Sequence, residues 1–303
     1  MRQRGAAIIT ALLVVALVAI TASFLLAQQS QALTRTAATV ARAQARAYAD
    51  TAVQWARGIL YDDARQSNSD HLGEPWAAGL AALQVDNATL SGTLTDEQGR
   101  FNLNNLVRNG AVHQGSVQAF KRLLESLALA PDLAGAVVDW IDPDSNLTSP
   151  GGAEDAAYLA LASPYRTANK PLVTVDELLR VKGFDAKAVN ALRPFVTALP
   201  AVTRLNLNTA SLDVLAASMP ELEESQRLKL AKERLEKPFK DLADIKSRYP
   251  TIAPLFLNEE ADAKSDYFTA SVAVASGSVQ IRTRALLKRE TGKWPAIIWQ
   301  EAF

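Results

Sequence analysis

The stretch Ala6–Leu26, AAIITALLVVALVAITASFLL, decides how this chain is organised. It contains no charged residue, and as an α-helix its 21 residues would be about 31 Å long, close to a bilayer hydrocarbon core of about 30 Å. The apolar core of a secretory signal peptide is shorter, about 7–15 residues. The stretch therefore predicts a transmembrane helix at residues 6–26.

The charges around this stretch bear on its orientation. Arg2 and Arg4 precede it, which favours a cytoplasmic N-terminus under the positive-inside rule. Arg35, Arg42 and Arg46 follow it, so charge alone does not decide the orientation.

The helical pattern continues beyond the apolar stretch. Apolar residues recur at intervals of three and four from Leu33 to Ile59, with charged residues between them. No glycine or proline interrupts the chain from Ala6 to Arg57. This pattern predicts one helix of about 50 residues, half in lipid and half outside it. The alternative is a plain anchor followed by a separate helix.

The composition excludes several classes of protein. The chain has 303 residues, of which 49% are hydrophobic and 21% charged, so most of it can bury a core. Its 32 basic and 32 acidic residues argue against a generally basic nucleic-acid binder. It has no cysteine, which excludes disulfides, thiolate metal sites and cysteine nucleophiles. Its two histidines offer little basis for a two-histidine metal site or a histidine-based triad. Phosphate-loop, dinucleotide-binding, nucleophile-elbow and zinc-protease motifs are also missing, so we predict that the protein is not an enzyme.

The first predicted strands come before the middle of the chain. Residues 62–90 are expected to be irregular because glycine and proline break them. Thr93–Thr95 is predicted as a strand, Asp96–Gly99 as a turn, and Arg100–Leu103 as the returning strand of a hairpin.

A long helical region then separates these strands from the end of the chain. Residues 112–254 carry apolar faces with helical spacing, punctuated by proline and glycine. Tyr267–Ala275, Val279–Lys288 and Trp294–Glu301 alternate and are separated by glycine turns, which predicts a three-stranded antiparallel meander. Strands on both sides of a helical block predict an α+β fold with a helical insertion. Two independent domains in series are the alternative.

An acidic segment, DWIDPDSN at Asp139–Asn146, is the densest group of oxygen ligands in the sequence. Hard cations such as Ca²⁺ take six to eight oxygens, often from flexible loops. Asp142, Asp144 and Asn146 imitate the first ligands of an EF-hand, but Leu147 stands where its glycine belongs and Ala153 where its final glutamate belongs. The segment is therefore either another kind of calcium loop or a solvated turn with helix caps at Asp142 and Asp155.

Another segment resembles a DNA-binding motif. Leu205–Leu215 and Phe239–Ile245 are similar to helix-hairpin-helix modules, with Asn208 and Thr209 expected to cap the next helix. Such modules bind phosphate with a glycine-rich hairpin. The corresponding segment, Met219–Glu224, has no glycine and three glutamates, which repel phosphate. A helical packing module is favoured, and a membrane-anchored helix-hairpin-helix DNA-binding protein is the alternative function.

The N-terminus as a whole resembles that of type IV prepilin-like proteins, with a short basic leader ending in glycine and an unbroken apolar helix. The resemblance implies that a membrane prepilin peptidase cuts between Gly5 and Ala6 and that the new N-terminus is methylated. Most such proteins have glutamate at the fifth mature position, where it pairs with the amine of a neighbouring subunit. Here that position is Thr10. A subunit with none above it has no such amine to meet, so Thr10 suits a subunit at the tip of a fibre.

The rest of the chain resembles the minor pseudopilin K family of type II secretion. The matching blocks are GRFNLNNL, DWIDPD, GGAEDAAY, TVDELLRVKGF, LRPFVTALP and LNLNTAS. The resemblance implies a pseudopilin fold, with a long N-terminal helix and an antiparallel sheet, that carries a large all-helical insertion domain. The implied parts are a prepilin leader at 1–5, a transmembrane helix at 6–26, a pseudopilin α/β domain at 27–108 and 259–303, and a helical insertion domain at 109–258.

The same resemblance implies a function and a cofactor. The protein is expected in the cell inner membrane as a single-pass protein with its bulk in the periplasm. It is expected to form a tip complex with minor pseudopilins I, J and H, and to bind no nucleic acid. Calcium is expected in the insertion. By position, the candidate ligands are Asp139, Asp142, Asp144, Glu154, Asp155 and Asn169.

Overall fold

The computed structural model describes residues 2–250, 260–277 and 279–303. The α-helices are α1 Arg2–Gln66, α2 Gln114–Ser126, α3 Leu133–Ile141, α4 Asp155–Leu159, α5 Ala186–Leu192, α6 Leu212–Ser218, α7 Glu224–Glu236 and α8 Leu242–Arg248. Short 3₁₀ helices lie at Pro75–Ala78, Glu97–Gly99, Leu103–Leu106 and Val175–Arg180. The strands are β1 Leu80–Val85, β2 Ala88–Asp96, β3 Phe101–Asn102, β4 Val107–Arg108, β5 Ala111–Val112, β6 Val196–Thr197, β7 Leu205–Asn206, β8 Ala261–Asp262, β9 Tyr267–Ser276, β10 Val279–Lys288 and β11 Ala296–Ala302.

The long helix α1 runs unbroken for 65 residues, which confirms the predicted single helix. It is longer than the predicted length of about 50 residues, because it continues past Gly58 to Gln66. Threonine hydroxyls along it donate to the carbonyl four residues earlier, which satisfies them without breaking the helix. Its most apolar 18-residue window has a mean hydropathy of 2.4, and none of that window is buried by the rest of the protein. The second half buries Ala45, Ala49, Val53 and Leu60. One half of α1 therefore has the composition of a membrane span, and the other half belongs to a folded core.

A five-stranded antiparallel sheet packs on the second half of α1. Its strand order is β1-β2-β9-β10-β11, so the three C-terminal strands form the predicted meander and β9 also pairs with β2. Alternate residues of β9, including Phe268, Ala270 and Val272, point into the core with α1. The expected α+β architecture is confirmed.

The predicted hairpin around Asp96–Gly99 is wrong, and so is the irregular assignment of residues 62–90. β1 lies within that range and pairs with β2 across a turn in which Asp86 adopts a φ of +50°. The Asp96 carboxylate accepts a hydrogen bond from Gln98 N and starts a 3₁₀ turn. The chain then leaves the sheet, because Phe101 N donates to Phe195 O and β3 pairs in parallel with β6.

The described residues form two large hydrophobic cores. The sheet core lies between α1 and the five-stranded sheet. The helical core is formed by apolar residues from Phe101 to Ala263, including those of α2, α3, α5 and α6. Phe101 and Leu103 already pack in the helical core, although they precede residue 109. The proposed insertion bounds remain a prediction, and residue 258 lies outside the described residues.

Candidate metal centre

The acidic segment lies at the C-terminal end of α3. Asp139 is on the last turn of that helix, Asp142 is its C-cap, and Asp144 follows in the loop. Glu154 is the N-cap of α4 and Asp155 is its first residue. The loop returns against α3 because Gly135 and Gly152 leave room for it: a Cβ at Gly135 would lie 2.5 Å from Pro150 O.

Three of the predicted ligands converge. One carboxylate oxygen from each of Asp142, Asp144 and Glu154 lies within 4.8 Å of the other two. Asp142 Oδ1 and Glu154 Oε1 are buried and have no hydrogen-bond partner. A buried acceptor without a partner is destabilising, so each such atom needs a physical explanation.

The charge at this site is uncompensated. Among the residues that the structure describes, no basic side chain forms an ion pair with Asp139, Asp142, Asp144 or Glu154. Burial, followed by the charges of Asp144 and Asp139, raises the pKa of Asp142 to about 6. Burial and the charge of Asp139 raise the pKa of Glu154 to about 7. A bound dication would remove both the repulsion and the unsatisfied oxygens, and carboxylate oxygens are the donors that Ca²⁺ prefers.

The other three predicted ligands have different surroundings. Asp139 is fully buried, and its two oxygens accept from Thr148 N at 3.0 and 3.2 Å, which anchors the loop to α3. Asp155 accepts from Thr167 N and Oγ1 and pairs with Arg166 at 2.9 Å. The hydrogen bond from the Thr167 hydroxyl is the main reason that the pKa of Asp155 is lowered.

Asn169 is the remaining candidate ligand. It is exposed and has a φ of +46°, a backbone conformation that asparagine tolerates better than most residues. Asp142, Asp144 and Glu154 therefore form the centre of the site. Asp139 and Asp155 are already bonded to the protein around it.

The helix-hairpin-helix resemblance has a packing explanation in the structure. The predicted cap of α6 by Asn208 or Thr209 is wrong, because Ser211 caps that helix. The Asn208 side chain instead bonds both the N–H and the carbonyl of Phe239, at 2.9 Å each. Thr209 Oγ1 donates to Asp96 at 2.6 Å. These polar residues connect elements of the fold to one another.

Sequence reasoning missed a second group of buried carboxylates. Asp63, Asp70 and Glu74 bring their oxygens within 4.8 Å of one another, and Arg289 pairs with the first two. The partners are up to 226 residues apart in the chain, so no local motif signals them.

The predicted processing and assembly sites lie in the first turns of α1, at Gly5, Ala6 and Thr10. The helix around them is continuous with the apolar stretch, so it is consistent with a membrane anchor near the N-terminus.

Comparisons with known proteins agree on one family. The family described as type II secretion system (T2SS), protein K matches residues 99–201 and 205–262. Type II secretion system protein K of Pseudomonas aeruginosa is 35% identical over 303 aligned residues, which cover 96% of this chain and 90% of that protein. Its counterpart in Klebsiella pneumoniae is 32% identical, with 95% of this chain and 93% of that protein covered.

The fold also has a close counterpart among solved structures. A chain of the GspK-GspI-GspJ complex from the type 2 secretion system of enterotoxigenic Escherichia coli aligns with a TM-score of 0.76 and 24% identity. The alignment covers 89% of this chain and 99% of that one. The comparisons give no support to the DNA-binding alternative. Sequence and fold together establish that this chain belongs to the protein K family of the type II secretion system, a family of structural pseudopilins.

Proposed function

We propose that this protein is the minor pseudopilin at the tip of the type II secretion pseudopilus. There it would nucleate assembly with other minor pseudopilins for protein export across the outer membrane. The observation that carries the proposal is the shape of the chain: an exposed apolar helix continues without a break into a sheet core, and a second large core is attached between β2 and β9.

Each part has a role in this proposal. The exposed half of α1 supplies the surface for membrane insertion and for packing against the helices of other subunits. The helical core adds bulk that would obstruct another subunit from stacking above. Thr10 supports the same position, because a tip subunit has no upper neighbour whose amine would neutralise a glutamate in lipid.

The proposed partners are minor pseudopilins I, J and H. The related E. coli chain was solved in a complex with GspI and GspJ, which supports the first two. Protein H and the prepilin peptidase rest on the family resemblance alone. The proposed location is the inner membrane, with a single span and the bulk of the chain in the periplasm.

The tip proposal predicts that this chain forms a complex with proteins I and J that depends on exposed residues of α1. Leu33 and Val40 are 72% and 49% exposed, so replacing them does not disturb either core of the monomer. The variant Leu33→Arg/Val40→Arg should lose co-purification with I and J from detergent. The matched control Leu235→Arg changes an equally apolar and 69% exposed residue of α7, and it should retain the complex. Full retention by the α1 variant would count against helix packing as the assembly surface.

The processing proposal predicts a specific mass. Co-expression with a prepilin peptidase should yield a chain that starts at N-methylated Ala6, and top-down mass spectrometry would read that terminus directly. Gly5→Leu should block the cut and leave Met1 in place. A wild-type chain that keeps Met1 in the presence of active peptidase would make the segment an ordinary anchor.

We also propose that the convergent carboxylates hold calcium. Asp142, Asp144 and Glu154 would bind the ion directly, with Asp139, Asp155 and Asn169 as the further candidates implied by the family. The unsatisfied oxygens of Asp142 and Glu154 support this assignment, and so does the uncompensated charge. Bound calcium would fix the loop after α3 against α4 and so stiffen the helical core.

A further inference from the structure

A buried polar network lies where the two cores meet. It consists of Asp63, Asp70, Asp96, Asn206, Thr209, Ser265 and Arg289, and we call it the junction network. Its members come from distant parts of the chain. None of them belongs to the candidate metal centre.

Arg289 organises one half of the junction network. Its side chain is 3% exposed, and its Nη1 donates a hydrogen bond of 2.6 Å to the carboxylate of Asp63, which lies on α1. Its Nη2 donates to both oxygens of Asp70, at 2.6 and 2.5 Å, and to Ser265 O at 2.7 Å. The guanidinium also lies over the ring of Phe268, 4.8 Å from its centroid. The end of β10 is thereby tied to the end of α1 and to the segment that precedes β9.

Ser265 connects this half to the other. Its N–H donates to Asp70 at 2.7 Å, and its hydroxyl donates to Asp96 at 2.8 Å. The Asn206 amide donates to Asp96 at 2.8 Å and to Asp70 O at 3.0 Å. Thr209 completes the shell around the Asp96 carboxylate.

The network lies at both places where the chain passes between the sheet core and the helical core. Asp96 ends β2, where the chain leaves the sheet, and Ser265 precedes β9, where the chain returns to it. Asn206 and Thr209 lie beside Leu207 and Ala210 of the helical core. The network therefore spans both crossings between the cores. A small apolar cluster of Leu199, Tyr267 and Leu286 is another contact between them.

The charge balance makes Arg289 the critical member. It is the one cation of the network, against the carboxylates of Asp63, Asp70 and Asp96, all largely buried. Removing one member of a buried ion pair leaves its partners uncompensated, which costs far more than loss of an exposed pair.

We propose that the junction network is a joint that makes the sheet core and the helical core fold and move as one unit, with Arg289 as its positioning residue. Chains with two cores generally unfold core by core unless the contact between them is strong. The joint holds the helical core at a fixed orientation on α1, as a subunit that blocks stacking requires. This coupling does not depend on whether the candidate metal centre binds calcium.

The test is urea-dependent pulsed hydrogen exchange with mass spectrometry on the full chain in detergent. Peptides from α3 report on the helical core, and peptides from β9 report on the sheet core. Wild-type protein should show one common urea midpoint in both sets. Arg289→Met should separate the two midpoints by about 1 M urea or more. Arg289→Lys keeps the charge but cannot donate to Asp63 and Asp70 from two separate nitrogens. The two midpoints should therefore lie closer together than in Arg289→Met.

Control variants separate coupling from simple stability. Arg282→Met changes an exposed arginine of β10, the strand that Arg289 directly follows, and should behave as wild type. Ser265→Ala is a milder second variant, should Arg289→Met fail to fold, and it should separate the midpoints by a smaller margin. Two midpoints in the wild-type chain would overturn the proposal. A single lowered midpoint in Arg289→Met or Ser265→Ala would overturn it as well, because the network would then only add stability.

Discussion

Calcium at about 100 times its dissociation constant is expected to raise the melting temperature of the full chain by about 5–10 °C over the same protein in chelator. This expectation follows from linkage, since such an excess stabilises the folded state by about 2.7 kcal/mol, and each kcal/mol shifts the melting temperature of a chain this large by roughly 2–4 °C. Differential scanning fluorimetry at pH 8 would measure it. That pH lies above the raised pKa values of Asp142 and Glu154, so both carboxylates are ionised.

The double variant Asp142→Asn/Glu154→Gln is expected to change stability in opposite directions with calcium and with chelator. It keeps the shape of both side chains and removes two of the charges that repel each other in the metal-free protein. We therefore expect the variant to be less stable than wild type in calcium and more stable than wild type in chelator. Simple damage to the loop would lower stability under both conditions.

A matched control is available on α2. Glu125 is exposed on α2, which packs in the same helical core as α3. Glu125→Gln should therefore respond to calcium as wild type does. If chelation leaves the wild-type melting temperature unchanged, the acidic segment is a loop without a metal. If calcium stabilises the double variant as much as wild type, the ion binds elsewhere.

The elements that were predicted correctly are those whose signal is local. α1 follows from an apolar period that no glycine or proline interrupts from Ala6 to Arg57, and the C-terminal meander follows from alternation between glycine turns. The predicted hairpin at Asp96–Gly99 was wrong because contacts with residues distant in the sequence decide the path of the chain there. Thr209 and Ser265 bind the Asp96 carboxylate, and Phe195 O takes the N–H of Phe101, so the chain turns into the helical core.

At the candidate metal centre, too, local spacing was informative and long-range contacts were not foreseen. The spacing of Asp142 and Asp144 marked a cluster of oxygen ligands, and the structure brings Glu154 to the same point. The spacing could not show that Asp155 is bonded to Thr167 and Arg166 instead. The junction network was missed for a similar reason: Arg289 and Asp70 are 219 residues apart, and a lone arginine after a strand has no sequence signal for burial.

The proposed function rests on the apolar half of α1 together with the two cores. The apolar half of α1 is consistent with a membrane anchor, and the sheet core built on the other half gives the chain the architecture of a pseudopilin. The helical core between β2 and β9 is the part available for a specialised role. A rigid helical core, which we propose that calcium stiffens, would suit a subunit that ends a fibre, because a loosely attached one would not keep further subunits out.

Gly152→Ala is expected to destabilise the chain by about 2–3 kcal/mol and to abolish its response to calcium. A Cβ at this position would lie 2.3 Å from both Asp139 Oδ2 and Thr148 O, and 2.9 Å from Thr148 N. The backbone of Thr148 cannot yield without moving the loop, and its N–H is the donor that holds Asp139. The strain therefore falls on the anchor of the metal loop, two residues before Glu154.

The comparison variant is Gly58→Ala on α1. The nearest atom to the added methyl group would be Trp294 Cη2 at 3.6 Å, an ordinary contact, and alanine within a helix is favoured over glycine by roughly 0.5–1 kcal/mol. Gly58→Ala should therefore raise the melting temperature slightly and leave the calcium response intact. Thermal melts of both variants with calcium and with chelator would test the pair. A Gly152→Ala protein that keeps the wild-type calcium shift would mean that the ion does not need the loop to lie against α3. The close approach of Gly152 to Asp139 would then serve packing alone, and the ligands would have to come from a part of the loop that the added methyl group leaves in place.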